Sequence, residues 1–530
     1  MNSRRVVFIA YKDQPNLGVG YLSAVLFSKG FEAETVDFRL EPEETCRLVK
    51  GASPMLVGFS LIFQFYLPRM GELAKYLRDR GVRCHFVVGG HYPSLRPDDV
   101  LARVPELDSV VLFEGESTIC ELADRLSSGA DWRDIAGLAY RKEGKPFSNA
   151  LRPLVKDLDS LPFPVRDADC EFHVLDKKYT SIIASRGCVW NCAFCSIREF
   201  YGRPPGGLRR SRSPANVVAE IKQLFEADKA QVFLFQDDDF LAPGRLREPW
   251  LKGFVDALDR AGLSDEILWK INCRCDEVDL DTFRELGRVG LRSVYLGIES
   301  GNQTSLQYMD KHLKAEDSLR AVRVLEKLNI SYEYGFMLFD PSSTFESVKT
   351  NIAFLRQLCG NGSSPVTACK MAPYAETEVE RRLIAQGRLK GSVAAPDYNF
   401  QDHRLDWYCM FLLSAFYDWI YAPTGLLAKF RWRKFEVAVE ERFHPSRQVR
   451  QYDKSLRRLI SASNAVFLRF ADETASAFED EFTPWGEKLE ELLEWRSSEE
   501  KRIDSELHQL TLRFNRLWER GSSVGRPMPR

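Results

Sequence analysis

Three cysteines on one short segment are the residues of this sequence best suited to chemistry. Cys188, Cys192 and Cys195 lie in the run SRGCVWNCAFCS, with the spacing CxxxCxxC. A closed structural metal site has four protein ligands, so three thiolates leave one metal position open to a small molecule. The spacing therefore predicts a reactive metal centre. The alternative is a non-catalytic binding module in which the thiols hold a structural metal such as zinc.

The cysteines follow the first of six predicted strands that alternate with helices. These strands are residues 179–184, 232–235, 268–272, 294–297, 331–339 and 366–371. Six strand–helix units predict a partial (β/α)6 barrel, in which site residues lie where strands end. The candidate polar residues follow the second, third and fourth strands, and they are Asp237, Asp238, Asp239, Arg274, Glu299 and Ser300.

Several of these groups also have a purely structural interpretation. Three adjacent acidic residues after a strand can form a solvated turn or a helix start. Arg274 can form a structural ion pair. Cys273 and Cys275 flank it, but no further pair of thiols lies nearby in the sequence, which disfavours a second metal site.

The first 140 residues have the same alternation of short apolar strands and amphipathic helices. The predicted strands are 6–10, 34–37, 56–60, 85–88 and 109–113. This order predicts a doubly wound, Rossmann-like parallel sheet, which binds ligands at the carboxyl ends of its strands. No GxGxxG follows the first strand, so a nicotinamide or flavin dinucleotide is disfavoured. The loops at three strand ends contain the candidate residues Ser60, Gly89, Gly90, His91, Glu114, Gly115 and Glu116.

In this strand context the motifs resemble the radical S-adenosylmethionine (SAM) superfamily. The resemblance rests on CxxxCxxC after a first barrel strand, Phe194 before the third cysteine, the acidic loop after the second strand, and Gly297-Ile-Glu-Ser-Gly301 after the fourth. With the N-terminal sheet, residues 4–390 resemble the branch that has a cobalamin-binding domain ahead of the barrel. Most class B radical methyltransferases share that layout.

The resemblance implies a [4Fe-4S] cluster on Cys188, Cys192 and Cys195, whose open iron takes SAM. One-electron cleavage of SAM then gives a 5′-deoxyadenosyl radical that removes hydrogen from an unactivated carbon. The resemblance implies that Phe194 contacts the adenine of SAM, with local packing as its alternative role. It also implies Asp237, Asp238 and Asp239 at the ammonium group, Arg274 at the carboxylate, and Glu299 and Ser300 near the ribose or methionine part.

The resemblance also implies cobalamin in the N-terminal sheet. Gly89 and Gly90 would let backbone approach the nucleotide tail, and Ser60 could hydrogen-bond to it. Glu114, Gly115 and Glu116 form a turn that is common in the branch, and His91 either touches cobalamin or caps a loop. Residues 11–20 contain no histidine, which rules out ligation through an Asp-x-His-x-x-Gly loop. The alternative is a domain that has lost the cofactor.

The expected activity is methylation of an unactivated carbon of a small biosynthetic substrate, with an electron donor such as flavodoxin or ferredoxin. The alternative is a cobalamin-dependent radical cyclase or rearrangement enzyme. Two loops depart from the family pattern at the substrate end of the barrel, Asp340-Pro-Ser-Ser-Thr344 and Pro373-Tyr-Ala-Glu-Thr377.

Composition sets the remaining expectations. The chain has 530 residues, 74 basic and 76 acidic side chains and a net charge of -2, which does not favour a nucleic-acid partner. No apolar run is long enough for stable membrane insertion, and the spacing of its 12 cysteines does not resemble a disulfide framework. We therefore expect a cytoplasmic protein.

The expected organisation is a cobalamin-binding-like domain (1–140), a proline-punctuated linker (141–178), the barrel (179–390), a helical C-terminal domain (391–520) and a disordered tail (521–530). In the helical domain Trp407, Tyr408 and Tyr417 either line a substrate pocket or pack in an ordinary helical core.

Overall fold

The computed structural model of the protein describes residues 4–12, 14–166, 171–241, 244, 245, 247–480 and 486–521. Its N-terminal elements are, in order, β1 (Arg5–Ala10), α1 (Leu17–Ser28), β2 (Glu32–Asp37), α2 (Pro42–Ala52), β3 (Leu56–Ser60), α3 (Leu67–Asp79), β4 (His85–Gly89), α4 (His91–Leu95), α5 (Pro97–Arg103), β5 (Ser109–Val111), α6 (Glu116–Ser128), β6 (Leu138–Lys142) and β7 (Lys145–Ser148).

The elements of the predicted barrel follow. They are β8 (Phe172–Val174), β9 (Lys177–Ile182), β10 (Ser185–Arg186), α7 (Ile197–Gly202), β11 (Arg210–Ser211), α8 (Pro214–Asp228), β12 (Ala230–Phe235), α9 (Arg247–Arg260), β13 (Leu268–Arg274), α10 (Leu280–Arg288), β14 (Leu291–Glu299), α11 (Gln303–Tyr308), α12 (Ala315–Lys327), β15 (Ser331–Phe339), α13 (Phe345–Cys359) and β16 (Cys369–Lys370).

The last elements are α14 (Glu378–Ala385), β17 (Leu389–Ser392), β18 (Ala395–Tyr398), α15 (His403–Ala415), α16 (Tyr417–Tyr421), α17 (Leu426–Phe443), α18 (Arg447–Asp480) and α19 (Glu487–Gly521). The chain divides into two compact units. The first contains Met1–Ala261 and Ala372–Tyr398, and the second contains Gly262–Met371 and Asn399–Arg530.

The N-terminal sheet of the first unit has the strand order β2-β1-β3-β4-β5-β6-β7. Strands β1 to β5 are parallel, as predicted, and the order reverses direction between β1 and β3. Both faces are covered by helices, since successive residues of β1 enter different cores. Val6 packs with Leu26 of α1, whereas Val7 packs with Leu73 of α3. A doubly wound sheet of this kind binds ligands at such a reversal.

Two antiparallel strands complete this sheet where the sequence predicted a linker. Strand β6 pairs with β5 and β7 pairs with β6. The two-residue turn between them, Glu143-Gly144, has positive φ at both positions (52° and 78°), the geometry that suits a tight hairpin. The predicted linker is thus partly regular structure, because β7 and β8 lie within 141–178. Residues 167–170 of it lie outside the described residues.

The remaining part of the first unit holds the cysteine segment. Parallel strands β9 and β12 pair, β8 adds an antiparallel edge to β9, and the short strands β10 and β11 pair across the cysteine segment. Helix α8 begins with Ser213 as its N-cap, whose side chain accepts a hydrogen bond from the Asn216 N–H, and with Pro214 at its first turn. Helix α14 and the hairpin of β17 and β18 also belong to this unit.

The second unit contains parallel strands β13 to β16 and the five C-terminal helices. All six predicted barrel strands are therefore present, as β9 and β12 to β16, and the predicted fold class is confirmed. Helix α18 spans 34 residues and packs against α13, α15, α17 and α19. Tyr408 is buried and donates to the Ala471 carbonyl oxygen, so it belongs to the helical core. The predicted tail lies, except for Gly521, outside the described residues.

No helix among the described residues is both long enough and apolar enough to cross a bilayer.

Candidate functional site

A cavity of about 440 Å³ lies within the first unit, at the carboxyl ends of the N-terminal strands. Its walls come from two parts of the sequence that are far apart. Ser60, Gly89, Gly90, His91, Glu114, Gly115 and Glu116 line it from the N-terminal sheet. From residues 183–238, which include the cysteine loop and the loop after β12, it is lined by Ile183, Ser185, Arg186, Phe200, Tyr201, Gln236 and Asp238. Every residue predicted for cobalamin thus lines the same cavity as the neighbours of the cysteine segment.

Gly90 fixes the shape of one wall. Its φ is +115°, and a Cβ at this position would lie 2.2 Å from the Leu61 carbonyl oxygen, so only glycine fits. The Ser94 hydroxyl donates to the Gly90 carbonyl oxygen at 2.7 Å and accepts from the Phe113 N–H at 2.7 Å. These bonds hold the ends of β4 and β5 together and leave backbone facing the cavity.

His91 begins α4 and packs its ring on Phe200, with ring centres 4.3 Å apart. Burial lowers the pKa of His91 to about 4, so its imidazole is neutral at physiological pH. Phe200 lies in α7, directly after the cysteine segment. The ring contact therefore joins the two walls of the cavity.

Glu114 and Glu116 are held by arginines from the cysteine side. The Arg186 guanidinium lies 2.6 Å from Glu116 and 3.1 Å from Glu114, and Arg210 lies 2.9 Å from Glu114. All four side chains are buried. Although burial alone would raise it, the pKa of Glu114 is lowered because both guanidinium groups and the Val155 N–H stabilise its carboxylate. A direct contact of either carboxylate with cobalamin stays a prediction.

The three candidate metal ligands lie half-buried on one loop. The Cys195 N–H donates to the Cys192 carbonyl oxygen at 3.0 Å, which closes a turn between the second and third cysteine. Burial raises the pKa of Cys188 and Cys195 to about 12. No three Cys, His, Asp or Glu side chains within the described part of the chain form a preformed metal site.

The acidic loop after β12 supports the start of the cysteine loop. Asp237 accepts hydrogen bonds from the Ala184 N–H at 3.0 Å and from the Ser185 hydroxyl at 2.5 Å. Asp238 accepts from the Gly187 N–H at 3.0 Å, next to Cys188. Desolvation is the largest cause that raises the pKa of Asp237 to about 6 and of Asp238 to about 7. Asp238 also faces the cavity, whereas Asp239 is buried beside it.

Three further predicted SAM contacts, Arg274, Glu299 and Ser300, lie in the second unit. Arg274 is buried, forms an ion pair with Asp276 at 3.1 Å and donates to the Lys311 carbonyl oxygen, which matches its structural alternative. Glu299 has a φ of +66° and pairs with the Lys311 ammonium at 3.0 Å.

The other two predicted SAM contacts are Ser300 and Phe194. The Ser300 hydroxyl donates to Asn351 at 2.9 Å and is fully buried. Phe194 is half-buried on the cysteine loop. Roles for these residues in SAM binding stay predictions.

Sequence reasoning missed Arg186 and Arg210. Arg186 lies two residues before Cys188, and its adjacent position was a usable signal. Arg210 lies 15 positions beyond Cys195, and its link to Glu114 depends on the pairing of β10 with β11. Nothing in the local sequence around Arg210 indicates that contact.

Comparison with known families identifies both halves of this site. Residues 4–123 match the model of the B12 binding domain, and residues 182–355 match the model of the radical SAM superfamily. The chain is a B12-binding radical SAM enzyme.

Relatives of this B12-binding radical SAM enzyme include an uncharacterized methyltransferase, PH0819, of Pyrococcus horikoshii. It is 27% identical over 358 residues, which are 65% of this chain and 73% of the relative. The anaerobic magnesium-protoporphyrin IX monomethyl ester cyclase of Synechocystis is 25% identical over 71% of this chain and 75% of its own. The cobalamin-dependent SAM radical enzyme OxsB, solved with aqua-cobalamin, is 16% identical, with a TM-score of 0.66 over 94% of this chain and 84% of its own, so the two share a fold.

The cofactors of this B12-binding radical SAM enzyme are a [4Fe-4S] cluster, SAM and cobalamin, and the site fits them. Three thiols on one loop are the donors that iron–sulfur clusters take, and a bound cation favours the thiolate form. The cavity is mostly apolar, and at Gly90 a side chain would collide with backbone. The exposed backbone there suits a large, flat cofactor.

Proposed function

We propose that this enzyme moves a methyl group from SAM, by way of cobalamin, to an unactivated carbon of a small molecule. The observation that carries the proposal is the shared cavity. Ser60, Gly89 and Gly90 line one side, whereas the other side includes Ser185, at the start of the cysteine loop, and Asp238, which accepts a hydrogen bond from the Gly187 N–H of that loop. A cofactor in this cavity therefore borders the residues that hold the cluster loop.

The bound groups supply the reactive chemistry, because the cluster with SAM gives a carbon radical and cobalamin carries a methyl group. In this proposal Cys188, Cys192 and Cys195 hold the cluster, and Asp237 and Asp238 keep the loop in shape through the bonds to Ser185 and Gly187. The cavity wall built from Gly90, His91 and Phe200 binds cobalamin and excludes water from it.

The remaining predicted contacts belong to the same proposal. Phe194, Asp239, Arg274, Glu299 and Ser300 would bind SAM. A one-electron donor such as flavodoxin or ferredoxin would reduce the cluster. The near-neutral charge of the chain, -2, supports a small molecule as substrate more than a nucleic acid.

Methyl transfer has one competitor, a radical cyclisation or rearrangement that uses the same cofactors. The Synechocystis relative, which is named a cyclase, favours this alternative, whereas the Pyrococcus relative is named a methyltransferase. The cavity accommodates cobalamin in both cases, so only the product separates them.

An isotope experiment distinguishes the two reactions. The fully loaded enzyme, a strong reductant and SAM with a trideuterated methyl group are incubated without oxygen with a small-molecule extract. Methyl transfer predicts a new product that carries the deuterium label by mass spectrometry. Conversion of a compound of the extract to a product without deuterium would instead establish the cyclase or rearrangement reaction.

A further inference from the structure

Residues Ala372–Tyr398 form a segment, called the strap below, that belongs to the first unit although the second unit's residues precede and follow it. One of its contacts with the N-terminal part of the chain is made by Gln64, in the loop after β3. The Gln64 side chain accepts from the Ala375 N–H at 2.9 Å and donates to the Val393 carbonyl oxygen at 2.9 Å. One buried amide thus fixes both ends of the strap to a loop beside the cavity.

The strap also contacts the cysteine loop itself. The Val379 N–H donates to the carbonyl oxygen of Ala193 at 3.0 Å, and Ala193 is the residue that follows Cys192. On the same side Arg381 of the strap pairs with Glu199 of α7 at 3.0 Å. The strap therefore touches the loop that holds the candidate cluster and the loop that borders the cobalamin cavity.

Glu376 lies between these two attachments and has an unusual backbone. Its φ is +65°, a left-handed conformation that costs a residue other than glycine about 1 kcal/mol or more. Glycine would adopt it without that cost. Such strain persists only when contacts with the surrounding structure hold the residue in place.

The Glu376 carboxylate forms ion pairs with two arginines. One oxygen lies 2.5 Å from the Arg96 guanidinium, and the other pairs with Arg203. Arg203 also donates to the Leu95 carbonyl oxygen at 3.1 Å. Glu380 completes the cluster, since it accepts from the Glu376 N–H at 2.6 Å and pairs with Arg96 at 3.0 Å.

The two arginines follow the two helices that matter for the site. Arg96 follows α4, which begins at His91 beside Gly90, and Arg203 follows α7, which begins just after Cys195. Glu376 therefore connects α4, which begins at the cavity wall, with α7, which follows the cysteine loop. The ion pairs are only partly exposed, so solvent weakens them incompletely.

We propose that Glu376 is a positioning residue that couples the cysteine loop to the cavity wall formed by Gly90, His91 and Phe200. Binding of the cluster would then strengthen binding of cobalamin, and binding of cobalamin would strengthen binding of the cluster. The inference rests on the proposed function only for the assignment of the cluster to the cysteines and of cobalamin to the cavity. It does not depend on which reaction follows, because coupling between two binding sites is an equilibrium property.

The test compares hydroxocobalamin binding to cluster-loaded and cluster-free protein, by anaerobic titration of the visible spectrum. For the unchanged protein the dissociation constant should be at least about 5-fold lower when the cluster is present, a typical coupling between sites. In Glu376→Gly and in Glu376→Gln this ratio should fall at least about 2-fold, and the direct contacts of His91 with Phe200 and of Arg203 with Leu95 account for the coupling that is left. Glu378→Gln is the matched control, because Glu378 forms its ion pairs, within the described part of the chain, with Arg381 and Arg382 of the same strap. This variant should retain the full ratio.

Two results would overturn the coupling. One is equal affinity of the unchanged protein in both forms. The other is a Glu376→Gly protein that retains the full ratio while its thermal unfolding midpoint rises, because Glu376 would then be only a strained turn residue. A ratio that depends on Glu376 in an enzyme that never transfers a methyl group would support the coupling and refute the proposed function separately.

Discussion

The Arg186 guanidinium lies 2.6 Å from the Glu116 carboxylate, and both side chains are about nine-tenths buried. Arg186 precedes the cysteine loop, and Glu116 begins α6 at the end of the N-terminal sheet. The same guanidinium lies 3.1 Å from Glu114 and over the ring of Tyr21. One side chain thus connects the start of the cluster loop to the loop that closes the cobalamin cavity.

Replacing Arg186 with methionine should destabilise the first unit strongly. The change leaves Glu114 and Glu116 buried with less neutralising charge, and breaking a buried ion pair typically costs about 3–5 kcal/mol. Urea unfolding measures the loss. Arg5→Met is the control, because Arg5 pairs with Glu32 at 2.7 Å on the surface and should cost less than about 1 kcal/mol. Equal losses in the two variants would refute a special role for the buried network.

Replacing Gly90 with alanine should weaken hydroxocobalamin binding at least about 10-fold, since the new Cβ collides with Leu61 and displaces the cavity wall. Absorbance titration measures the dissociation constant. Gly81→Ala is the control. Gly81 has a comparable φ of +87°, but a Cβ there would have no atom within 4 Å, and Gly81 does not line the cavity. That control should bind normally. Similar weakening in both variants would mean that the cofactor does not contact this wall.

Replacing Cys188, Cys192 and Cys195 together with alanine should abolish iron binding and SAM cleavage. Hydroxocobalamin should still bind, because the cavity walls in the N-terminal sheet are untouched. Iron analysis and detection of 5′-deoxyadenosine measure the first two, and Cys84→Ala should retain both. A triple variant that still reconstitutes a cluster would place the ligands elsewhere in the chain.

His85 should make the fold sensitive to acid. Burial lowers the pKa of His85 to about 4 from an ordinary value of 6.5, and its ring nitrogen lies 2.7 Å from the Ser109 hydroxyl. The folded protein then binds fewer protons than the unfolded chain, so the stabilisation exists above pH 6.5 and is lost as pH falls through about 4. Relative to His85→Gln, the unchanged protein should lose roughly 3 kcal/mol of unfolding free energy between pH 7 and pH 4.

Urea unfolding at several pH values between these limits measures that difference. The control, His173→Gln, changes an exposed ring on β8 and should alter the unfolding free energy by less than about 0.5 kcal/mol at neutral pH. A difference between His85→Gln and the unchanged protein that does not vary with pH would show that the ring of His85 is accessible to protons in the folded state.

The pattern of apolar residues predicted β1 and β3, whose burial is almost complete, but it missed β6, although Leu138 and Ala139 are buried. Val7 and Val57 lie in strands covered on both faces, and such strands form continuous apolar runs in the sequence. Strand β7 was missed because all four of its residues are exposed. Only the turn at Glu143-Gly144 indicated the hairpin, and glutamate is a weak signal for a positive φ. Strand β8 was also missed, because it has only three residues and follows a proline-rich stretch.

The parts of the candidate site that lie on one short segment of the sequence were predictable. The three cysteines and the loop at Gly90 could be found because their residues are adjacent. Contacts between distant segments, such as Arg210 with Glu114, depend on how the chain returns on itself, and an arginine gives no sign of which carboxylate it will meet. The cytoplasmic location, the electron donor and the domain limits stay predictions.

The most direct test of the central claim needs no knowledge of the substrate. Purified enzyme with cluster and cobalamin, under strong reductant and without oxygen, is given SAM, and both possible by-products are measured over time. Methyl transfer by way of cobalamin predicts S-adenosylhomocysteine and 5′-deoxyadenosine together, with S-adenosylhomocysteine absent when cobalamin is omitted. Production of 5′-deoxyadenosine alone, with cobalamin bound, would contradict the account.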